Sequence, residues 1–333
     1  MGKFKHKHSA HCESGVVSSL LTHGGFPMSE AMAFGLGDGL AFAYLPIVKL
    51  DGMPLVAYRM MPKNIIKNVS KRLKIPLSVK TYSTPQKAKD DLIKMLNEGQ
   101  IVGLQTSVYY LPYFPANMRF HFNAHNLLIY GVENNEFLIS DPVFEEPFRV
   151  GIDELDKARF AKGVFAPKGS AYTLGEIPKN IDLAPIIIKS IKRTVNMMLR
   201  TPMPWIGVRG MKMMKKAILN LDKHKNKRYP ALYLGHLIRM QEEIGTGGGG
   251  FRLMYAAFLL EASKIMNSEK LRIASQMMTE AGDKWREFAL VASKACRKVE
   301  YSLGDISESL QVAIDHETKV YQYLKEHKYG RIS

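Results

Sequence analysis

The strongest constraint on the fold is a pair of short β-prone segments separated by a tight turn. Leu127–Val132 and Phe137–Ile139 are mainly apolar and suited to strands. Between them lies Glu133-Asn134-Asn135-Glu136, and asparagine tolerates the positive φ that a two-residue hairpin turn requires. The pattern therefore predicts a β-hairpin, whose open end brings His125 and Asp141 close together.

The rest of the chain up to about Pro167 has a mixed α/β pattern. Glu13–Thr22 has apolar residues at helical spacing and is predicted to be a short helix with Cys12 at its start. Leu40–Val48 is a continuous apolar run that predicts a buried strand. Two further segments are predicted, a helix at Lys87–Asn97 and a strand at Ile101–Tyr110.

The C-terminal half has a helical pattern throughout. Glycine and proline between about Lys168 and Asn180 predict a linker. The helices expected beyond it are Ile186–Arg200, Met211–Asp222, Ala231–Glu243, Phe251–Met266, Leu271–Val299 and Ile306–Lys325. We therefore expect an α+β protein with two domains, an N-terminal one at residues 1–170 and an all-α one at residues 180–333.

The residues with the clearest chemical potential are Cys12, His125 and Asp141. The positive end of a helix dipole favours a thiolate, and a cysteine nucleophile needs a nearby base that a third group orients. The hairpin gives His125 and Asp141 those two roles. His121 and His11 are alternative bases. The alternatives to catalysis are that Cys12 is a small buried hydrophobe and that Asp141-Pro142 is only a turn.

Cysteine usage and hydropathy bear on the compartment. Cys12 and Cys296 are too few for a disulfide framework, so we expect reduced thiols and a cytoplasmic location. The N-terminal apolar residues are too interrupted by serine for a signal peptide, and no apolar stretch approaches the roughly 20 residues that span a bilayer.

The charge distribution favours an anionic partner. The formal net charge is +16, and one segment holds much of the excess. Its basic residues are Lys189, Lys192, Arg193, Arg200, Arg209, Lys212, Lys215, Lys216, Lys223, Lys225, Lys227 and Arg228, against the single acid Asp222. Because no zinc-binding, helix-turn-helix or aromatic RNA-binding pattern is present, nucleic acid is the least favoured partner, and peripheral contact with an anionic membrane stays open.

Several segments resemble the butirosin biosynthesis protein H family. In the N-terminal half they are His11-Cys12-Glu13-Ser14-Gly15, Ser29-Glu30-Ala31-Met32, Phe34-Gly35-Leu36-Gly37-Asp38-Gly39-Leu40, Phe42-Ala43-Tyr44, Ala124-His125-Asn126 and Ser140-Asp141-Pro142. In the C-terminal half, Glu243 to Arg252, with Tyr255, Phe258, Leu259, Glu261 and Ala262, resembles the helical domain that commonly follows.

The resemblance implies a papain-like N-terminal domain, related to bacteriocin-processing peptidases, that performs acyl transfer. In the namesake system an aminoacyl group passes from an acyl carrier protein thioester to an aminoglycoside amine. Carried over, Cys12 accepts the acyl group, His125 transfers protons and Asp141 orients His125. The implied partners are a carrier protein bearing a phosphopantetheine thioester and a small-molecule acceptor.

Two features of the implied enzyme concern anion binding. Papain-like enzymes generally have a glutamine several residues before the cysteine as an oxyanion donor, but Lys5, His6, Lys7 and His8 stand there. Backbone N–H groups at the helix start, or a histidine, would have to serve instead. A second site is expected at the glycine-rich run, where Gly248, Gly249 and Arg252 could hold the phosphate of the carrier arm. A flexible loop or tight packing is the alternative.

Three functions remain open on the sequence alone. The first is acyl transfer from a carrier-protein thioester to an amine or hydroxyl. The second is hydrolysis of an amide by the same three residues, since only the attacking acceptor differs. The third is binding without chemistry. A closed, water-poor site favours transfer and an open groove favours hydrolysis. No metal or resident cofactor is expected.

Overall fold

The computed structural model describes residues 4–50, 52–297 and 300–326. The helices are α1 (Cys12–His23), α2 (Glu30–Leu36), α3 (Asn64–Leu73), α4 (Pro85–Asn97), α5 (Ile152–Arg159), α6 (Leu183–Arg200), α7 (Gly207–Ile218), α8 (Tyr229–Ile238), α9 (Arg252–Ile265), α10 (Glu269–Cys296) and α11 (Leu303–Glu326). The strands are β1 (Leu40–Leu50), β2 (Met53–Arg59), β3 (Leu77–Lys80), β4 (Val102–Thr106), β5 (His125–Glu133), β6 (Glu136–Ser140), β7 (Phe148–Gly151) and β8 (Ala171–Leu174).

The chain divides into two compact units. Unit 1 contains the residues up to Ala33 and Ile65–Ile181, and unit 2 contains Phe34–Asn64 and the residues from Asp182 onward. The division after residue 181 lies next to the expected limits 1–170 and 180–333, but residues 34–64 belong to the helical unit. The reason is aromatic packing within unit 2, where the rings of Phe42 and Tyr58 contact Trp285.

Unit 1 is built on an antiparallel sheet. Among the described residues its strands follow the order β3-β8-β4-β5-β6-β7. The predicted hairpin is confirmed as β5 and β6, which pair from Leu128↔Ser140 to Glu133↔Glu136. Asn134 and Asn135 form its turn with φ of 51° and 64°. The α+β class is confirmed as well.

Three predicted segments differ from the structure. The strand expected at Ile101–Tyr110 ends at Thr106, and Val108–Tyr110 forms a short 3-10 helix. The supposed linker between residues 168 and 180 contains β8, which pairs with both β3 and β4. Glycine and proline on both sides hid this four-residue strand, because a run so short carries little periodicity. The expected buried strand at residues 40–48 is half of the β1–β2 hairpin, and its outer end is exposed, with Ile47 93% accessible.

Unit 2 is mainly helical and contains α6 to α11 together with the β1–β2 hairpin. The predicted helical segments are confirmed, apart from a few residues at their ends, and the predicted end of one helix at Val299 lies outside the described residues. Between α8 and α9 the chain runs through Gly245, Gly247, Gly248, Gly249 and Gly250, all with positive φ. Glycine is required for such a succession of left-handed residues, because a Cβ atom would strain the backbone.

Candidate active site

Cys12 is the first residue of α1 and lies at the open end of the β5–β6 hairpin. The preceding residue, His11, caps the helix: its Nδ1 atom accepts a hydrogen bond from the Ser14 N–H at 3.4 Å. First-turn N–H groups have no acceptor within their own helix, so the Cys12 N–H is a donor directed away from α1. The helix dipole adds positive potential at the same place.

Glu30 holds the segment that leads into the cysteine. Its carboxylate accepts the N–H groups of Ala10 at 3.0 Å and His11 at 2.7 Å, and the Ser14 hydroxyl at 3.1 Å. Burial raises the pKa of Glu30, although these hydrogen bonds oppose the rise. One carboxylate thus holds the backbone before Cys12 and the Ser14 side chain after it, and through them the position of Cys12.

A close approach places α1 against the end of β6. A Cβ atom on Gly15 would lie 2.7 Å from the Cβ atoms of both Pro142 and Ser9. The Ser9 N–H also donates to the Pro142 carbonyl at 2.6 Å. Only glycine allows this separation, so Gly15 sets the distance between the helix that carries Cys12 and the segment that follows Asp141.

His125 is the first residue of β5 and is paired with Asp141. Its Nε2 atom lies 2.6 Å from Oδ2 of Asp141. A hydrogen bond also joins its ring to the Cys12 side chain, and because Nε2 faces Asp141, Nδ1 is the ring nitrogen left for the sulfur. Burial by itself lowers the pKa of His125, but the charge and hydrogen bond of Asp141, together with Cys12, raise it to about 10. The structure therefore brings the three predicted side chains together.

Solvent reaches these three residues very little. The accessible fraction is 6% for Cys12, 4% for His125 and 0% for Asp141. Their neighbours are mixed: the buried residue Thr106 pairs with His125 across the sheet, and the ring of Phe114 lies 5.4 Å from that of His125. The arrangement is thus a nearly closed site in which the buried imidazole is paired with a carboxylate.

The alternative base His11 caps α1, and His121 and the N-terminal His6 are engaged elsewhere. The ring of His121 stacks on Tyr109 with their centroids 4.1 Å apart. His6 contacts Ser140 Oγ at 2.7 Å and the Phe144 carbonyl at 3.0 Å. Both of its ring nitrogens are therefore engaged at the end of β6, and His6 does not replace the oxyanion glutamine. The helix geometry instead provides the Cys12 N–H as a backbone donor next to the sulfur.

Two buried polar residues near the cysteine were missed in the sequence. Tyr172 of β8 donates its hydroxyl to Asn126 Oδ1 at 2.9 Å. Burial raises the pKa of Tyr172, and the charges of Glu13 and Cys12 raise it further. The Glu13 carboxylate accepts the N–H groups of Ile65 at 2.9 Å and Ile66 at 3.4 Å. The sequence signal for them was that a polar residue directly follows each reactive residue: Glu13 follows Cys12, and Asn126 follows His125.

The glycine-rich segment is engaged internally. The carboxylate of Glu242 accepts the Gly249 N–H at 3.2 and 3.3 Å, and Gly248 donates to Thr246. Arg252 is fully buried, donates to Glu317 at 3.0 and 3.1 Å and to the Gly250 carbonyl at 2.6 Å. In the structure the chain's own carboxylates thus engage the Gly249 N–H and the Arg252 guanidinium, and the Thr246 hydroxyl engages the Gly248 N–H. A phosphate held by Gly248, Gly249 and Arg252 stays a prediction.

Among residues 4–50, 52–297 and 300–326, no helix is both long enough and apolar enough to cross a bilayer. In the same part of the chain, the His, Cys, Asp and Glu side chains form no group of three or more suited to a metal ion.

Comparisons with known proteins match both halves of the chain. The family model for butirosin biosynthesis protein H, N-terminal, matches residues 11–142, a range that contains Cys12, His125 and Asp141. The model described as Domain of unknown function (DUF4872) matches residues 153–324, which is more than half of the chain. A solved structure described as a C39-like peptidase from Bacillus anthracis shares 14% identity at a TM-score of 0.36, covering 53% of this chain and 96% of that chain. No match was found among curated proteins.

Proposed function

Because the chain belongs to the DUF4872 family and its residues 11–142 match the N-terminal model of butirosin biosynthesis protein H, we propose that it is a cysteine-dependent acyltransferase. Cys12 is the nucleophile, His125 the acid and base, and Asp141 the group that orients His125. The donor is a thioester on the phosphopantetheine arm of an acyl carrier protein. The acceptor is the amine or hydroxyl of a small molecule.

The reaction takes two substitutions at one carbonyl carbon. The Cys12 thiolate attacks the thioester, the carbon–sulfur bond to the carrier arm breaks, and the leaving thiolate takes the proton held by His125. The acceptor then attacks the acyl group on Cys12 while His125 removes its proton, and the Cys12 thiolate leaves. In both steps the Cys12 N–H donates to the oxyanion that develops on the carbonyl oxygen.

The observation that carries the proposal is that solvent hardly reaches Cys12, His125 and Asp141, the three side chains that the structure brings together. With accessible fractions of 6%, 4% and 0%, an acyl group on Cys12 would meet little water, so an added acceptor has the advantage over hydrolysis. The raised pKa of His125 keeps its imidazole protonated at neutral pH. The imidazolium in turn stabilises a thiolate beside it.

The basic surface of unit 2 supports an acidic carrier protein as the partner. The basic side chains between Lys189 and Arg228 are mostly exposed, although Lys215 contacts Gln311 and Arg193 pairs with Asp38. Met203 and Trp205, in the middle of this segment, are 40% and 38% accessible. Cations around an apolar contact favour a partner with an acidic surface, because complementary charge accelerates encounter.

The decisive experiment follows mass on Cys12. The full chain is incubated with an acyl carrier protein thioester, and wild type is compared with Cys12→Ala, His125→Ala and the control Cys296→Ala. We expect acylation of wild type and of Cys296→Ala, loss of labelling in Cys12→Ala, and discharge by added amine much faster than by water. Rapid discharge by water alone would instead identify a hydrolase, and no labelling would leave only a binding function.

A further inference from the structure

Tyr113 is a second donor to the carboxylate that orients the proposed base. It lies in the segment between β4 and β5, and its hydroxyl donates to Asp141 Oδ2 at 2.7 Å. The same oxygen contacts His125 Nε2 at 2.6 Å, while Oδ1 accepts the Val143 N–H at 3.2 Å. We propose that Tyr113 is a positioning residue that tunes, through Asp141, how strongly His125 holds its proton. This inference rests on the proposed function.

Packing holds the ring of Tyr113 in an orientation that directs its hydroxyl at Asp141. It stacks on Phe148 with their centroids 4.3 Å apart and packs against the edge of Phe144 at 5.5 Å. Phe114 contacts the ring of Tyr113 at 5.2 Å and that of His125 at 5.4 Å. Aromatic neighbours on several sides leave the phenol little rotational freedom, so the hydrogen bond to Asp141 is part of a fixed geometry.

Two donors on one oxygen compete for the same negative charge. When His125 is protonated, it draws that charge and weakens the Tyr113 bond. When His125 gives its proton to a leaving group, the charge of Asp141 is uncompensated and the Tyr113 bond strengthens. Tyr113 therefore stabilises the neutral form of His125 relative to the protonated form and lowers its proton affinity, which matters because a base works best when its pKa lies near the operating pH.

The groups around Tyr113 and Asp141 keep the phenol hydroxyl protonated, so it acts as a donor throughout. Burial, followed by the charge of Asp141, raises the pKa of Tyr113 well above its ordinary value, so the hydroxyl stays a donor across the working range. The titratable groups that act on His125 are Asp141 from the end of β6 and Cys12 from α1. A further titratable group, His6, contacts the hydroxyl of Ser140, the residue before Asp141.

The test is an NMR titration of the His125 imidazole in the full chain. Tyr113→Phe removes the hydroxyl and keeps the ring, and Tyr109→Phe removes an exposed hydroxyl from the same segment as a control. We expect Tyr113→Phe to raise the pKa of His125 by about 0.5–1 unit, the size that one hydrogen bond to a charged group supports. Tyr109→Phe should leave it unchanged. An unchanged or lowered pKa in Tyr113→Phe overturns the proposal.

Two further variants separate tuning from simple structural support. In an Asp141→Asn background, Tyr113→Phe should add no further shift, because the carboxylate that couples the two residues is gone. Monofluorotyrosine at position 113 is a stronger donor of nearly the same shape, so it should lower the pKa of His125 and remains informative if Tyr113→Phe does not fold. A shift in the same direction for both phenol variants refutes tuning.

The titration needs no acyl donor, which separates this inference from the acyltransferase proposal. If Cys12 is never acylated but the titration shifts as expected, only the proposed reaction fails. If acylation proceeds and the pKa of His125 is insensitive to Tyr113, only the role of Tyr113 fails.

Discussion

The most informative perturbation is Gly15→Ala, which tests whether the close approach of α1 sets the active geometry. The new Cβ would lie 2.7 Å from the Cβ atoms of Pro142 and Ser9, whereas carbon atoms in contact are about 3.5–4.0 Å apart. α1 or the segment after Asp141 must therefore move by about 1 Å. Gly15 is one turn from Cys12 on the same helix face, so the movement displaces the sulfur from His125.

The magnitudes separate stability from activity in this variant. Overpacking costs about 1–3 kcal/mol, and the better helix propensity of alanine offsets about 1 kcal/mol of that. A net loss of about 0–2 kcal/mol in the free energy of unfolding leaves the protein folded. A displacement of about 1 Å in a reacting group lowers the rate by roughly 100-fold.

The assay measures the acylation rate of Cys12 by mass spectrometry and the Tm of the same samples. Gly24→Ala is the matched control, because its Cβ would meet the flexible Cδ1 atom of Ile177 at 2.6 Å, at the other end of α1. We expect a near-normal rate in Gly24→Ala and a large loss in Gly15→Ala. An acylation rate in Gly15→Ala equal to wild type, with an unchanged Tm, would refute the reasoning.

Three further predictions concern the buried ion pair, the pH dependence of stability and the basic surface. Arg252→Met leaves the buried Glu317 carboxylate without its cation, so urea unfolding should show a loss of about 3–5 kcal/mol; an unaffected midpoint would contradict this. The pKa of His125 is raised in the folded state from 6.5 to about 10. Its stabilising contribution is therefore complete below pH 6.5 and is lost as the pH rises from there through about 10. The difference in unfolding free energy between wild type and His125→Gln should therefore shrink from weakly acidic to alkaline pH, and growth over that range would be the wrong sign. Lys212→Glu with Lys216→Glu should slow association with an acidic carrier protein and weaken its salt dependence, as stopped-flow measurements at low and high salt can check; unchanged kinetics would exclude this surface.

The hairpin was predictable because its signals are local. Asn134 and Asn135 specify the turn, and the apolar segments on either side specify the strands, so the proximity of His125 and Asp141 follows from sequence alone. The helices of unit 2 were predictable for the same reason, since their apolar periodicity extends over many turns. The placement of Cys12 at a helix start was likewise visible in the pattern of α1.

The glycine-rich segment shows what a local sequence pattern does not contain. Consecutive glycines before a helix, followed by an arginine, are typical of an anion site. Glu242, which accepts the Gly249 N–H, comes from just before the loop. Glu317, which pairs with Arg252, comes from α11, 65 residues further along the chain. The identity of a buried cation's partner depends on tertiary packing, which the local pattern does not contain.

The sequence by itself determined the α+β class, the hairpin, the helices of unit 2 and the three residues to examine, because turn chemistry and apolar periodicity act over short distances. Only the tertiary structure decided that Gly15 fits α1 against Pro142, that Glu30 holds the backbone before Cys12, and that Tyr113 shares an oxygen of Asp141 with His125. These contacts join residues far apart in the chain. Their energies depend on distances of a few ångströms that are set when the whole unit packs.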